Sequence, residues 1–157
     1  MNKITPFLWF DKEARAAAEF YSTVFKDAQI IDSTTLEDTP SGTVEIVTLR
    51  LFGQEFQLMS AGPFFKINEA ISFVVNCDTQ AEIDYYWDKL SAVPEAEACG
   101  WLKDKFGVSW QIVPTVMYEM QKSKDKKALA RLTEAFLKMK KFDIATLRQA
   151  YDEKSTS

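Results

Sequence analysis

Two short apolar runs in this chain each end in an aspartate and open onto a helical pattern. Phe7-Leu8-Trp9-Phe10-Asp11 leads into Glu13-Ala14-Arg15-Ala16-Ala17-Ala18-Glu19-Phe20-Tyr21. Further on, Ile71-Ser72-Phe73-Val74-Val75-Asn76-Cys77-Asp78 leads into Ala81-Glu82-Ile83-Asp84-Tyr85-Tyr86-Trp87. A carboxylate at such a junction accepts hydrogen bonds from first-turn amides that have no partner within the helix. Both segments therefore read as strand, cap, helix, with Asp11 and Asp78 as the expected caps. A second echo is tighter. Phe52-Gly53-Gln54-Glu55-Phe56-Gln57-Leu58-Met59 matches Phe106-Gly107-Val108-Ser109-Trp110-Gln111-Ile112-Val113. In both, the glycine suits a hairpin turn with positive φ, and the residues after it alternate as a strand does. The aspartates are offset by 67 residues and the Phe-Gly pairs by 54, so the second copy is 13 residues shorter.

Each copy reads as a βαβββ unit. The first has strands near 3–10, 28–36, 43–52 and 55–60 and a helix near 12–25. The second has strands near 70–77, 96–103 and 108–113 and a helix near 79–91, its additional short strand having no clear span. Residues 36–42, with Asp38, Pro40 and Gly42, are expected to form a turn or mobile loop. Past Pro114 the period becomes helical: Leu129, Leu132, Phe136 and Met139 form one stripe capped by Asp125, and Ile144, Leu147 and Tyr151 another capped by Asp143. The pattern predicts an α+β protein of two tandem βαβββ modules forming a curved mixed sheet around a cavity, plus C-terminal helices. Residues 1–114 would hold the modules (about 1–64 and 65–114), and 115–157 a helical extension of the same domain.

Composition narrows the function. At 157 residues, with 46% hydrophobic and 27% charged positions, the chain is long enough for a full core without a disulfide or structural metal. A formal charge of −4 and a sequence pI near 5.0 argue against nucleic-acid binding. No basic-then-apolar leader and no long apolar run is visible, so no membrane span is expected and the location is read as cytoplasmic. There is no histidine, which excludes histidine-based triads and histidine-ligated metals. Cys77 and Cys99 are too few for a zinc site and read as two buried thiols. The charge is uneven, net −8 over residues 1–114 and +4 over 115–157. Lysines at 122–127 and 138–141 read first as solvated helix surface; the sharper alternative is a basic tail docking on an acidic body.

Residues two apart in a strand share a face. Phe56 and Leu58 then face one way, and Glu55, Gln57 and Met59 the other. Trp110 and Ile112 likewise oppose Ser109, Gln111 and Val113. The greasier faces are expected under the helices, leaving Gln57 and Gln111 at matching places on the opposite face. They could converge on a ligand or merely satisfy neighbouring backbone, and both readings stay open. Acid–base chemistry would fall to a carboxylate such as Glu55 or Asp104, which otherwise read as surface groups. Trp101, Phe106, Met59 and Phe64-Phe65 could line an apolar mouth.

These features resemble the vicinal oxygen chelate superfamily, the glyoxalase, bleomycin-resistance and extradiol dioxygenase group. They are the doubled βαβββ unit, the helix ending in Phe20-Tyr21, and the string Lys103-Asp104-Lys105-Phe106-Gly107-Val108-Ser109-Trp110-Gln111-Ile112-Val113-Pro114. The likeness is strongest to the PhnB-like branch, often labelled demethylubiquinone methyltransferase, and it takes in the 139–151 tail. It implies two modules curling around one cavity, usually in a homodimer, and in metal-using members four His or Glu ligands. Carried onto this chain, those positions become Ile4, Gln57, Ser72 and Gln111, none a carboxylate or histidine. The expectation is a metal-free, cofactor-free cavity binding a small, largely apolar molecule. Gln57, Ser72 and Gln111 would orient it, with Glu55, Met59, Ser109, Trp101 and Phe106 nearby. A carboxylate-based isomerase or lyase using Glu55, and a purely structural dimer, are the alternatives. Methyl transfer is not supported, because the glycines at 42, 53, 62, 100 and 107 never fall in the GxG spacing of a nucleotide-type turn.

Overall fold

Alanine-rich sequence after the first apolar run makes a good helix, and its alanines let that helix sit close to a sheet. The computed structural model describes residues 2–153, and the chain divides into two compact units at the Asn68–Glu69 junction. In the first unit, β1 (Phe7–Phe10), α1 (Ala14–Val24), β2 (Gln29–Thr39), β3 (Gly42–Leu51) and β4 (Gln54–Ser60) follow in order. The sheet runs β1-β4-β3-β2, with β1 parallel to β4 and the other pairs antiparallel. Ala14, Ala17, Ala18, Tyr21 and Val24 of α1 are buried, as are Val47, Leu49, Phe56 and Leu58 of the sheet. A leucine buried as fully as Leu49 or Leu58 contributes about 2 kcal/mol.

The second unit holds β5 (Ser72–Cys77), α2 (Gln80–Leu90), a single 3-10 turn at Pro94–Ala96, β6 (Trp101–Lys103) and β7 (Ser109–Pro114). Its sheet runs β5-β7-β6, with β5 parallel to β7. Then come α3 (Thr115–Gln121), α4 (Lys126–Leu137) and α5 (Ile144–Asp152). Met117, Met120, Leu132, Phe142 and Leu147 form a buried cluster with Val113, the penultimate residue of β7. The expected caps of these helices are present: Asp125 accepts from the amides of Lys127 and Ala128, and Asp143 from that of Thr146. Among the described residues no helix is long and apolar enough to cross a membrane. The α+β class and the modular plan stand, carried by two separate sheets.

Four local expectations are corrected. Neither Asp11 nor Asp78 caps its helix: Glu13 precedes α1 without a side-chain bond, and Thr79 caps α2 by accepting from the Glu82 amide. Ser60 Oγ, on β4, serves α1 instead by accepting from the Ala14 amide at 3.0 Å. Asp78 accepts from the Thr115 hydroxyl at 2.8 Å. The first strand starts at Phe7 rather than residue 3, since Pro6 has no amide to donate and contributes only its carbonyl, to Gln57 N–H. The turn expected over residues 36–42 is confined to Pro40 and Ser41: β2 runs to Thr39, past a register shift and a left-handed Asp38, and β3 starts at Gly42. Of the segment predicted as a strand over 96–103, Ala96 closes a 3-10 turn and only Trp101–Lys103 are strand, and the second sheet has three strands.

The basic tail is partly docked within its own unit. Lys140 lies 3.6 Å from Glu97 and Lys141 2.7 Å from Asp84, whereas Lys122 and Lys138 pair along their own helices. Met139 and Lys140 carbonyls accept from the Cys99 and Gly100 amides. Gln80 accepts from Ile144 N–H and donates to the Phe142 carbonyl.

Candidate functional site

Strand alternation sorts each sheet into a helix-covered face and an open one. In the first unit Gln57 sits between Phe7 of β1 and Thr48 of β3. Met59 sits between Trp9 and Ile46, and Glu55 opposite Arg50. These residues share the face away from buried Phe56 and Leu58, and Gln57 and Met59 are half-buried. Trp9 is fixed by donating Nε1–H to the Gly62 carbonyl at 2.8 Å. Phe65 meets it edge to face at 5.1 Å between centroids, and Phe64 meets Phe65 at 4.9 Å. An aromatic wall thus borders the Gln57 face.

Glu55 is buried, and its Oε1 accepts from Arg50 Nη2 at 2.8 Å while its backbone N–H donates to Asn2 Oδ1. The hydrogen bond from the Arg50 guanidinium holds its carboxyl below the usual range, outweighing burial. A carboxylate held this way is a weak base and is not kept protonated as an acid. Proton transfer asks for a group tuned the other way.

In the second unit, Gln111 lies between Val74 of β5 and Trp101 of β6, and Ser109 between Ser72 and Lys103. The opposite face carries Val75, Cys77, Leu102, Trp110 and Ile112, all buried. Gln111 Nε2 donates to Ser72 Oγ at 2.9 Å, so these two expected ligand residues are joined directly. Trp101 and Gln111 are half-buried and Ser109 is buried. Phe106 is elsewhere, in the turn between β6 and β7. Its amide donates to Asp104 Oδ1 at 2.8 Å, and Lys105 Nζ lies 5.3 Å from its ring centroid. Asp104, read from sequence as a surface carboxylate, is buried. It also accepts from the Val108 amide at 3.0 Å and from Trp110 Nε1 at 2.8 Å. It braces the hairpin.

Sequence alternation reached Gln57, Met59, Glu55, Ser109 and Gln111 but missed Thr48, Arg50, Trp9, Val74 and Lys103 on the same faces. Finding those needs strand register, which two-residue periodicity alone does not supply. The Cys77 thiol offers no nucleophile here. Cys77 is buried, and burial, reinforced by Glu82 and Asp78, pushes it up to about 12; Cys99 is half-buried and its Sγ lies 3.7 Å from the Leu137 carbonyl.

The residues at the resemblance-derived metal positions do not fit a divalent transition ion. Ile4 is aliphatic, exposed and outside β1. Gln57, Ser72 and Gln111 are neutral oxygen donors, and the last two are bonded to each other. Among the described residues no three His, Cys, Asp or Glu side chains cluster as a ligand set.

Comparison with known proteins agrees with this architecture. Residues 2–113 match the model of a family described as 3-demethylubiquinone-9 3-methyltransferase. The match ends before α3, so the likeness read in the 139–151 tail lies outside it. Among solved structures, a Bacillus cereus protein titled putative 3-demethylubiquinone-9 3-methyltransferase, PhnB protein, is 31% identical, with TM-score 0.60 over 73% of this chain and 100% of that one. A Pseudomonas aeruginosa protein is 22% identical, with TM-score 0.52 over 73% of this chain and 98% of that one. The fosfomycin resistance protein FosX of Listeria monocytogenes shares the fold at 13% identity, with TM-score 0.56 over 78% of this chain and 98% of that one. No curated protein matches the chain.

Proposed function

We propose, for a chain that belongs to the 3-demethylubiquinone-9 3-methyltransferase family, a role other than the one the family's name states: binding a small, largely apolar molecule without a metal ion or other cofactor. The observation that carries this reading is the matched placement of Gln57 and Gln111. Each lies half-buried on the open face of its sheet, between an apolar edge-strand residue and a residue of the strand on its other side. A mostly apolar surface with a few placed polar groups is what a small-molecule site requires. Gln111, which donates Nε2–H to Ser72 Oγ, keeps an amide oxygen to accept from a ligand.

The strand-to-helix turns argue against a methyl-donor site. Residues 11–13 and 78–79, which link β1 to α1 and β5 to α2, contain no glycine. The same reading takes the working form as a homodimer. It is supported by β2, an eleven-residue edge strand with Ile30, Ile31 and Leu36 exposed and no lysine or proline to blunt it. Light scattering should give twice the 18.0 kDa chain mass.

The binding test is calorimetry with 2-naphthamide, a neutral aryl amide that can both stack and pair with a glutamine. Saturable binding weakened by Gln111→Leu is expected. Absence of binding up to solubility would contradict the reading.

A further inference from the structure

On the open face of the second sheet the side chains fall in two rows across the strands. Trp101, Gln111 and Val74 form one, and Lys103, Ser109 and Ser72 the next. The rows lie about 7 Å apart, two residues along a strand. The first row is aromatic, amide and aliphatic. The second is a lysine and two hydroxyls.

The first unit shows what is unusual here. There the equivalent cross-strand pair is Arg50 with Glu55, a cation neutralised by a buried carboxylate 2.8 Å away. In the second unit Ser109 stands where Glu55 stands, so the lysine has no acid opposite it. Lys103 instead reaches 3.2 Å to Glu69, whose side chain is 71% exposed. An ion pair open to water on one side contributes little and exchanges readily. The Glu69 carboxylate already shows the kind of group to which this lysine donates.

Resting on the binding role proposed above, we infer that the ligand is an aryl or alkyl acid. Its apolar body lies over Trp101 and Val74 beside Gln111, and its carboxylate displaces Glu69 from Lys103. The Ser72 hydroxyl, which accepts from Gln111 Nε2, retains its own proton to donate toward that carboxylate. Specificity for an acid over its neutral isostere then lives in Lys103, and Glu69 acts as an internal competitor.

The test compares 2-naphthoate with 2-naphthamide, matched in shape and differing in charge, by calorimetry on wild type, Lys103→Met, Lys103→Arg and Glu69→Gln, with thermal melts confirming that each variant folds. Wild type should prefer the acid by about tenfold, the worth of one charge-assisted hydrogen bond. Lys103→Met should erase that preference while leaving the amide within about twofold, and Lys103→Arg should retain most of it. Glu69→Gln should tighten the acid by about two- to threefold. Equal binding of the two probes, or equal loss of both in Lys103→Met, overturns the acid assignment and leaves the binding role standing. Failure of both probes to bind wild type contradicts the binding role itself and the acid assignment with it.

Discussion

The same Phe-Gly string turns two hairpins in this molecule by different physics. In the first module, Leu51 and Gln54 pair directly, and both central residues, Phe52 at φ 47° and Gly53 at φ 77°, take the left-handed conformation of a two-residue turn. In the second, only Gly107 does so, at φ 85°. Five residues, 104–108, separate its strands against two in the first, and the Asp104 carboxylate gathers the Phe106 and Val108 amides and the Trp110 indole. The sheets differ likewise. The first is completed by the long edge strand β2. The second, a strand short, is flanked by the helical extension, whose residues 139–140 supply carbonyls to Cys99 and Gly100 and whose Phe142 ring packs on Gly100. One module is finished by backbone pairing, the other by side chains and added helices, so equivalent positions should respond unequally to mutation.

The largest expected effect is in the extension. Phe142→Ala removes a 3%-exposed ring from between Gly100 and the helical cluster and should cost about 3–5 kcal/mol in denaturant unfolding. The first module has no counterpart to this contact, so a small loss there would mean the extension is not integral to the second unit. Next comes Asp104→Asn, which leaves a buried amide group against donors and should cost about 2–3 kcal/mol. Gly53→Ala should cost only about 1 kcal/mol. Its added Cβ meets nothing within 4 Å, and the loss is the positive φ alone. If Asp104→Asn proved the milder of the two, the contrast between the turns would collapse.

The smallest effect is electrostatic. The hydrogen bond from Lys141, with a second from Gln80, holds Asp84 below its ordinary value of 3.8. A carboxylate lowered by folding stabilises the fold above its unfolded value, and that stability is lost as pH falls through the folded one. Both side chains are well exposed, so Lys141→Met should cost less than about 1 kcal/mol near neutrality. The difference from wild type in thermal melts should shrink as pH falls below the ordinary carboxylate value and through the lowered one.

Much of the frame was legible because period and repeat carry it. The alternation of Phe56, Leu58, Trp110 and Ile112 against the two glutamines was readable from composition along the strand, and the helical stripes with their caps Asp125 and Asp143 followed from spacing. What failed were junctions decided by distant partners. Asp11 and Asp78 look like caps, but Ser60 and Thr79 take that work, one of them from another strand. Asp104 read as surface because nothing local reveals that Trp110 will reach back to it. The role assigned to Lys103 depends on Ser109 lying opposite it, a fact of register rather than of pattern.

The proposed ligand would contact the open face marked by Gln57 or Gln111 in its unit. Side-chain amide NMR of the 15N-labelled protein tests this contact most directly during titration with 2-naphthamide. A saturable shift of either glutamine NH2 group, assigned by its loss in Gln57→Leu or Gln111→Leu, is the predicted result. Saturable binding that leaves both glutamine signals in place would contradict it.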